Sequence, residues 1–259
     1  MDATFSIDLP SANAHGMPTP TGKGFFISPD GYFVTAAHVI TKDGLSTGEI
    51  RGDIEKGWLS KETSMTSAGQ SCQFVQVEHV LPEFDFVLLR VDFDKNSSKE
   101  WLKGKNSFPY LKVSKRQLEI GEPVYSFGYP LSSGYAKNFG DNMFSGSTSL
   151  SPRLTSAIIS SQLEKTEMVM SSSDPKHYVL DKPLNYGNSG GPIIATETGN
   201  VNGICSRFQP IYIPQPHLND NNGNQLYVMI PSLYGIVSNI NNDGIIKLLQ
   251  KLNIPLTDK

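Results

Sequence analysis

Ser189, His38 and Asp85 are residue types that can together carry out acyl transfer. Ser189 lies in Leu184-Asn185-Tyr186-Gly187-Asn188-Ser189-Gly190-Gly191-Pro192, a polar, glycine-dense turn followed by the apolar pair Ile193 and Ile194. Glycine lets a backbone take positive φ and approach a ligand closely. A serine there can present its hydroxyl while neighbouring amides point at the same place, as acyl transfer requires. The local alternative is a surface hairpin turn with a solvated serine. His38 follows Thr35-Ala36-Ala37, where small residues indicate tight packing at a strand end. Its alternative is a half-buried core histidine. Asp85 stands between Phe84 and Phe86 at the entry to Val87-Leu88-Leu89. Buried carboxylates need partners, although a strand-entry aspartate bonding nearby amides is a common alternative.

Positioning these residues falls to many short strands. Residues 1–20 contain prolines at 10, 18 and 20 and read as an irregular arm. Phe25-Phe26-Ile27 and Tyr32-Phe33-Val34-Thr35 read as strands joined by the turn Ser28-Pro29-Asp30-Gly31. Residues 41–69 read as a long surface excursion. Alternation over Gln73–Val80 predicts a half-buried strand, and Glu83–Val91 follows as an apolar run entered by Asp85. A polar stretch at 92–108 reads as a linker. Strands are then expected near 122–130, 155–161, 177–180, 203–206 and 226–231. Mobile polar loops are expected at 131–152 and 164–176. Ser232–Leu252 is the one helix candidate, from the spacing of Leu233, Ile236, Val237, Ile240, Ile245, Leu248, Leu249 and Leu252, with a break at Asn241–Gly244. Short strands, intervening turns and a late helix predict an all-β barrel architecture.

Composition narrows the function. Lys+Arg 22 against Asp+Glu 25 leaves a net charge of -3, which offers no electrostatic case for a nucleic-acid or membrane-surface partner. No apolar run is long enough to span a bilayer. Met1-Asp2-Ala3-Thr4-Phe5-Ser6 lacks the basic start and apolar block of a secretory signal. The two cysteines, Cys72 and Cys205, make no disulfide framework and read as free thiols. Both features point to the cytoplasm. None of the five histidines forms a pair at metal-ligand spacing, so no metal and no cofactor is expected.

The order His38, Asp85, Ser189 is that of the chymotrypsin-type triad. Thr35-Ala36-Ala37-His38, Phe84-Asp85-Phe86-Val87-Leu88-Leu89 and Gly187-Asn188-Ser189-Gly190-Gly191-Pro192 resemble the histidine, aspartate and nucleophile boxes of trypsin-like serine proteases. Asp181-Lys182-Pro183-Leu184-Asn185-Tyr186 and Ile230-Pro231-Ser232 resemble the lead-in and closing strand of the HtrA/Deg branch, with Tyr186 in place of the usual proline. The resemblance covers roughly residues 22–238. It implies an all-β fold of two six-stranded antiparallel β-barrels with a C-terminal helix. The implied divisions are an arm at 1–21, barrels at 22–108 and 109–238, and a helical tail at 239–259.

It also implies roles. Ser189 would attack the scissile carbonyl, His38 would carry its proton, and Asp85 would orient the imidazole. The amides of Gly187 and Ser189 would form the oxyanion hole. The substrate would be a protein or peptide. Digestive relatives carry an aspartate before the serine that pairs with a newly cut N-terminus. Asn188 cannot make that ion pair, which implies control by loop ordering in 131–152 and 164–176. Pro183 takes the position at the base of the primary pocket, with walls expected from Ile204, Cys205, Ser206, Val228 and Met229. An apolar residue of small or medium size before the cleaved bond would fit; Arg207 could instead attract an acidic one. HtrA-type enzymes carry PDZ domains, and about 20 residues after the closing strand are too few for one. The resemblance leaves room for an activating partner or an additional domain outside this chain. The alternative function is a protease-fold binding or chaperone module with its site held closed.

Overall fold

Phe5, Ile7 and Leu9 alternate with Ser6 and Asp8, and all three apolar side chains are fully buried. Thr4–Pro10 is thus a strand, β1, where the sequence reading expected an irregular arm. Pro10 and Pro18 pair at the strand ends beside the loop that joins β1 to β2, and Pro20 pairs with Asp8 next to a register shift. A proline costs a sheet least at strand ends, where no ladder bond is lost. The computed structural model describes residues 2–10, 18–61, 70–91, 105–128, 133–138, 144–149, 153–163, 177–183, 188–220 and 222–258.

Five more strands complete the first half: β2 (Pro18–Phe26), β3 (Tyr32–Thr35), β4 (Trp58–Lys61), β5 (Gln70–Leu81) and β6 (Phe86–Val91). They close into a barrel in the order β1-β2-β3-β6-β5-β4. Strand β4 lies inside the stretch expected to be a surface excursion, and it closes the ring by pairing with β1. Phe5, Phe26 and Phe33 fill the interior with edge-to-face contacts, and Phe108 stacks on Phe26 with ring centroids 4.4 Å apart. The end of the expected linker is therefore packed on the barrel. Its other residues, 92–104, lie outside the described residues.

The second half holds β7 (Val113–Ser114), β8 (Pro123–Gly128), β11 (Arg153–Leu163), β12 (His177–Leu180), β13 (Pro192–Ala195), β14 (Val201–Asn219), β15 (Gln225–Asn239) and β16 (Leu256–Thr257). Its order is β13-β8-β11-β12-β15-β14-β7-β16. A further pairing of β13 with β14 returns six of these strands on themselves. Strands β7 and β16 extend the sheet in parallel, so this half is a larger mixed sheet than the plain antiparallel barrel expected. Strands β9 (Ser133–Asn138) and β10 (Phe144–Ser149) form an antiparallel hairpin within 131–152, which was expected to be a loop. The 164–176 loop lies outside the described residues.

The helix prediction needs a larger correction. Ser232–Asn239 belongs to β15, and the helix α1 runs only over Asp243–Lys251. Strand β15 lies between β12 and β14. Gly235 through Asn239 are all buried, so the strand shows no polar alternation. Asn242 caps α1 by accepting from the Gly244 amide at 2.9 Å. Ile245 and Leu249 then join a cluster that also holds Phe5, Phe26, Ile194, Ile204 and Ile240, so one apolar core runs from the barrel into the second sheet.

Candidate active site

His38 sits in a single 3-10 turn, Ala37–Val39, directly after β3. Ala36 and Ala37 are fully buried there, which explains the small residues before it. Asp85 closes another such turn, Pro82–Phe84, and enters β6. Its backbone is left-handed, with φ 47°. Aspartate is among the few residues with a side chain that tolerate this region. The Asp85 carbonyl accepts from the Ala37 amide at 3.1 Å, which ties the two turns together.

The Asp85 carboxylate is 2% exposed and accepts three hydrogen bonds. The His38 amide donates to Oδ1 at 3.0 Å, and the imidazole Nδ1–H donates to Oδ2 at 2.8 Å. The Ser206 hydroxyl donates to Oδ2 at 2.6 Å. Burial alone would raise the Asp85 pKa. The charge and hydrogen bonds of His38, with the bond from Ser206, outweigh burial and hold it below the usual carboxylate range. An Nδ1–H committed to Asp85 leaves Nε2 as the nitrogen able to accept a proton. The His38 side chain is 21% exposed, so the ring edge remains reachable from solvent.

Ser189 arrives from the second half, in the turn before β13. Gly190 follows at φ 82°, and a Cβ there would fall 2.1 Å from the Lys23 carbonyl oxygen. The turn is closed by the Gly191 amide on the Asn188 carbonyl at 2.9 Å and by a Gly190–Cys205 bond at 2.7 Å. The Lys23 amide donates to the Ser189 carbonyl at 2.8 Å. The Ser189 hydroxyl donates to the Ser206 carbonyl at 3.4 Å, and no described hydrogen bond joins it to His38. Ser206 thus touches Asp85 through its hydroxyl and Ser189 through its carbonyl.

The remaining expected site residues divide. Gly187 lies outside the described residues. Pro183 is half-buried. Ile204 and Cys205 are fully buried on opposite faces of β14, in two separate apolar clusters. The Cys205 thiol is 3.3 Å from the Ser126 hydroxyl, and burial pushes its pKa up to about 11. Neither side chain lines an open pocket. Val228 and Met229 pair with Ile213 and Tyr212, beyond two bulges along the β14–β15 ribbon, and Val228 is 45% exposed. The residues facing Cys205 and Arg207 are instead Val237 and Ile236. The pairing follows from β15, which runs on to Asn239 where the sequence reading ended the strand at 231. Arg207 is half-buried, with its Nε 3.4 Å from the Ser206 hydroxyl. Ser206, expected in the pocket, donates its hydroxyl to Asp85. No local signal marks that role, because it depends on β14 passing beneath the Asp85 turn.

Comparison with known proteins identifies the family and the fold. The trypsin-like peptidase domain family matches residues 22–204. An uncharacterised protein, y4bJ of Sinorhizobium fredii, is 30% identical over 201 residues, covering 78% of this chain and 24% of that protein. Serine protease HTRA1 of Xenopus laevis is 28% identical over 190 residues, covering 73% of this chain and 31% of the relative. Serine protease HTRA4 of Mus musculus is 26% identical, covering 73% of this chain and 30% of its own. The chain thus spans about a quarter to a third of the length of these curated relatives. Among solved structures, the MamO protease domain of Magnetospirillum magneticum shares the fold, with a TM-score of 0.53, 15% identity and 96% coverage of both chains. By its matched domain, its barrel and its HtrA-protease relatives, the chain belongs to the trypsin-like peptidase family.

Proposed function

We propose that this domain is a serine endopeptidase that cleaves proteins or peptides through an acyl-enzyme intermediate. The observation that carries the reading is the Asp85 carboxylate, buried and bonded to the His38 amide, the His38 ring and Ser206. A carboxylate so held fixes the imidazole's tautomer and stabilises its cation. His38 Nε2 takes the proton of Ser189 as its oxygen attacks the scissile carbonyl. The amides of Gly187 and Ser189 stabilise the oxyanion. The C–N bond breaks as His38 protonates the departing amine, and water then hydrolyses the acyl-serine by the same relay. Pro183 places no charge at the base of the pocket, which favours an apolar residue before the cleaved bond. Control lies in loop ordering, with 131–152 and 164–176 as the segments, and not in insertion of a cut N-terminus.

One observation favours a second reading. The Ser189 hydroxyl rests on the Ser206 carbonyl and not on His38, as a closed binding module would hold it. Catalytic hydrogen bonds are often long in unliganded enzymes and tighten with substrate, which keeps the protease reading ahead. Fluorophosphonate labelling separates the two. A competent site labels the intact chain and loses the label in Ser189→Ala and His38→Ala. An unlabelled intact chain supports the closed module.

A further inference from the structure

Lys23 lies in β2, beneath the nucleophile turn, and its side chain is completely buried. Among the described residues no other lysine or arginine is. Enclosing an ammonium group is costly unless something within receives it. Here the receiver is Asn188: Lys23 Nζ donates to its side-chain oxygen at 2.8 Å. The side chain passes through space left by Gly128, where a Cβ would stand 2.7 Å from both Lys23 Cδ and Nζ. The main chain of Lys23 grips the same turn. Its amide donates to the Ser189 carbonyl at 2.8 Å, and its carbonyl is fixed by the Thr35 hydroxyl at 2.6 Å. That carbonyl also occupies the space a side chain at Gly190 would need.

We propose that Lys23 is a positioning residue of the site: it holds Asn188 through its side chain and Ser189 through its main chain, and its protonation sets how firmly the turn presents the Ser189 hydroxyl. The inference rests on the protease reading and adds to it a regulated support. Of the groups described against the Lys23 side chain, Asn188 on the turn and Gly128 on β8 are uncharged, and Cys205 on β14 is titratable. Burial pushes Lys23 down to about 7, against an upward pull from Cys205. Near neutrality the group therefore titrates, and its bond to Asn188 loses charge assistance as the proton leaves.

The test measures fluorophosphonate labelling rates from about pH 5 to about pH 10 on the full chain, Lys23→Met and Asn188→Asp. Methionine keeps the length and suits an apolar site. Lys23→Met is expected to label at least about tenfold more slowly, with melting temperature not reduced. Asn188→Asp supplies the opposite charge, which favours the ammonium, so the alkaline fall in rate is expected to move up by about one pH unit or more. Lys23→Met labelling at the wild-type rate, or an Asn188→Asp profile superimposed on wild type, overturns the proposal and leaves the protease reading standing. An intact chain that does not label sinks both. Should Lys23→Met fail to fold, the Asn188→Asp profile decides alone.

Discussion

Asp85 makes the demand that the surrounding residues answer. A carboxylate this deep stays ionised only because three donors converge on it. Asp85→Asn keeps the shape but turns the His38 proton to the wrong nitrogen. Peptide hydrolysis should fall by about ten-thousandfold in kcat, with unchanged circular dichroism. Ser206→Ala removes one donor and should cost about 1.5–3 kcal/mol of stability, read by denaturant titration. The pH dependence has a definite sign. Asp85 is held below its ordinary 3.8, so its contribution is complete above that value and is lost as pH falls through the folded one. Ser206→Ala raises the folded pKa, so acid unfolding, followed by tryptophan fluorescence, should begin at a higher pH than in wild type.

At the scale of elements, β1 decides whether the first barrel closes. It pairs with β2 on one side and β4 on the other. Phe5→Ala opens a cavity against Phe26 and Phe33 and should cost about 3–5 kcal/mol, read by thermal denaturation. An irregular arm would lose almost nothing. The alternation Phe5, Ile7, Leu9 was present in the chain, but three nearby prolines concealed it, and only the pairing shows that Pro10 and Pro18 sit at strand ends. The three boxes around His38, Asp85 and Ser189 were legible because each is a local pattern. Ser206 and Lys23 were not, since their partners lie 121 and 165 residues away in the chain. The end of β15 was misread for a different reason. A strand covered on both faces carries no period of two, and Leu233, Ile236, Val237 and Ile240 then mimic a helix.

Across the whole molecule, one apolar cluster joins Phe5, Phe26 and Phe33 to Ile204, Ile240 and Leu249 and so ties the halves together, while a second, around Ile159, Leu180 and Val237, lies within the second half. Calorimetry should record one transition, with calorimetric and van't Hoff enthalpies equal; two separated peaks would mean independent halves. Lys23 adds a pH term to that common stability. Its folded pKa is lowered from 10.5 to about 7, so the unfolded chain binds more protons between those values, and stability should rise with pH across that window. The rise should vanish in Lys23→Met, measured by urea titration at successive pH values.

The site also has an order of assembly. His38 and Asp85 precede Ser189 and Ser206 along the chain, and the first pair belongs to a barrel that ends at Val91. During synthesis from the N-terminus, that barrel and its histidine–aspartate pair can emerge well before the serine turn exists. A growing chain on the ribosome therefore holds a proton acceptor with no nucleophile to serve. On the proposed protease reading, the full relay exists only once translation has passed β14 and the second sheet has docked.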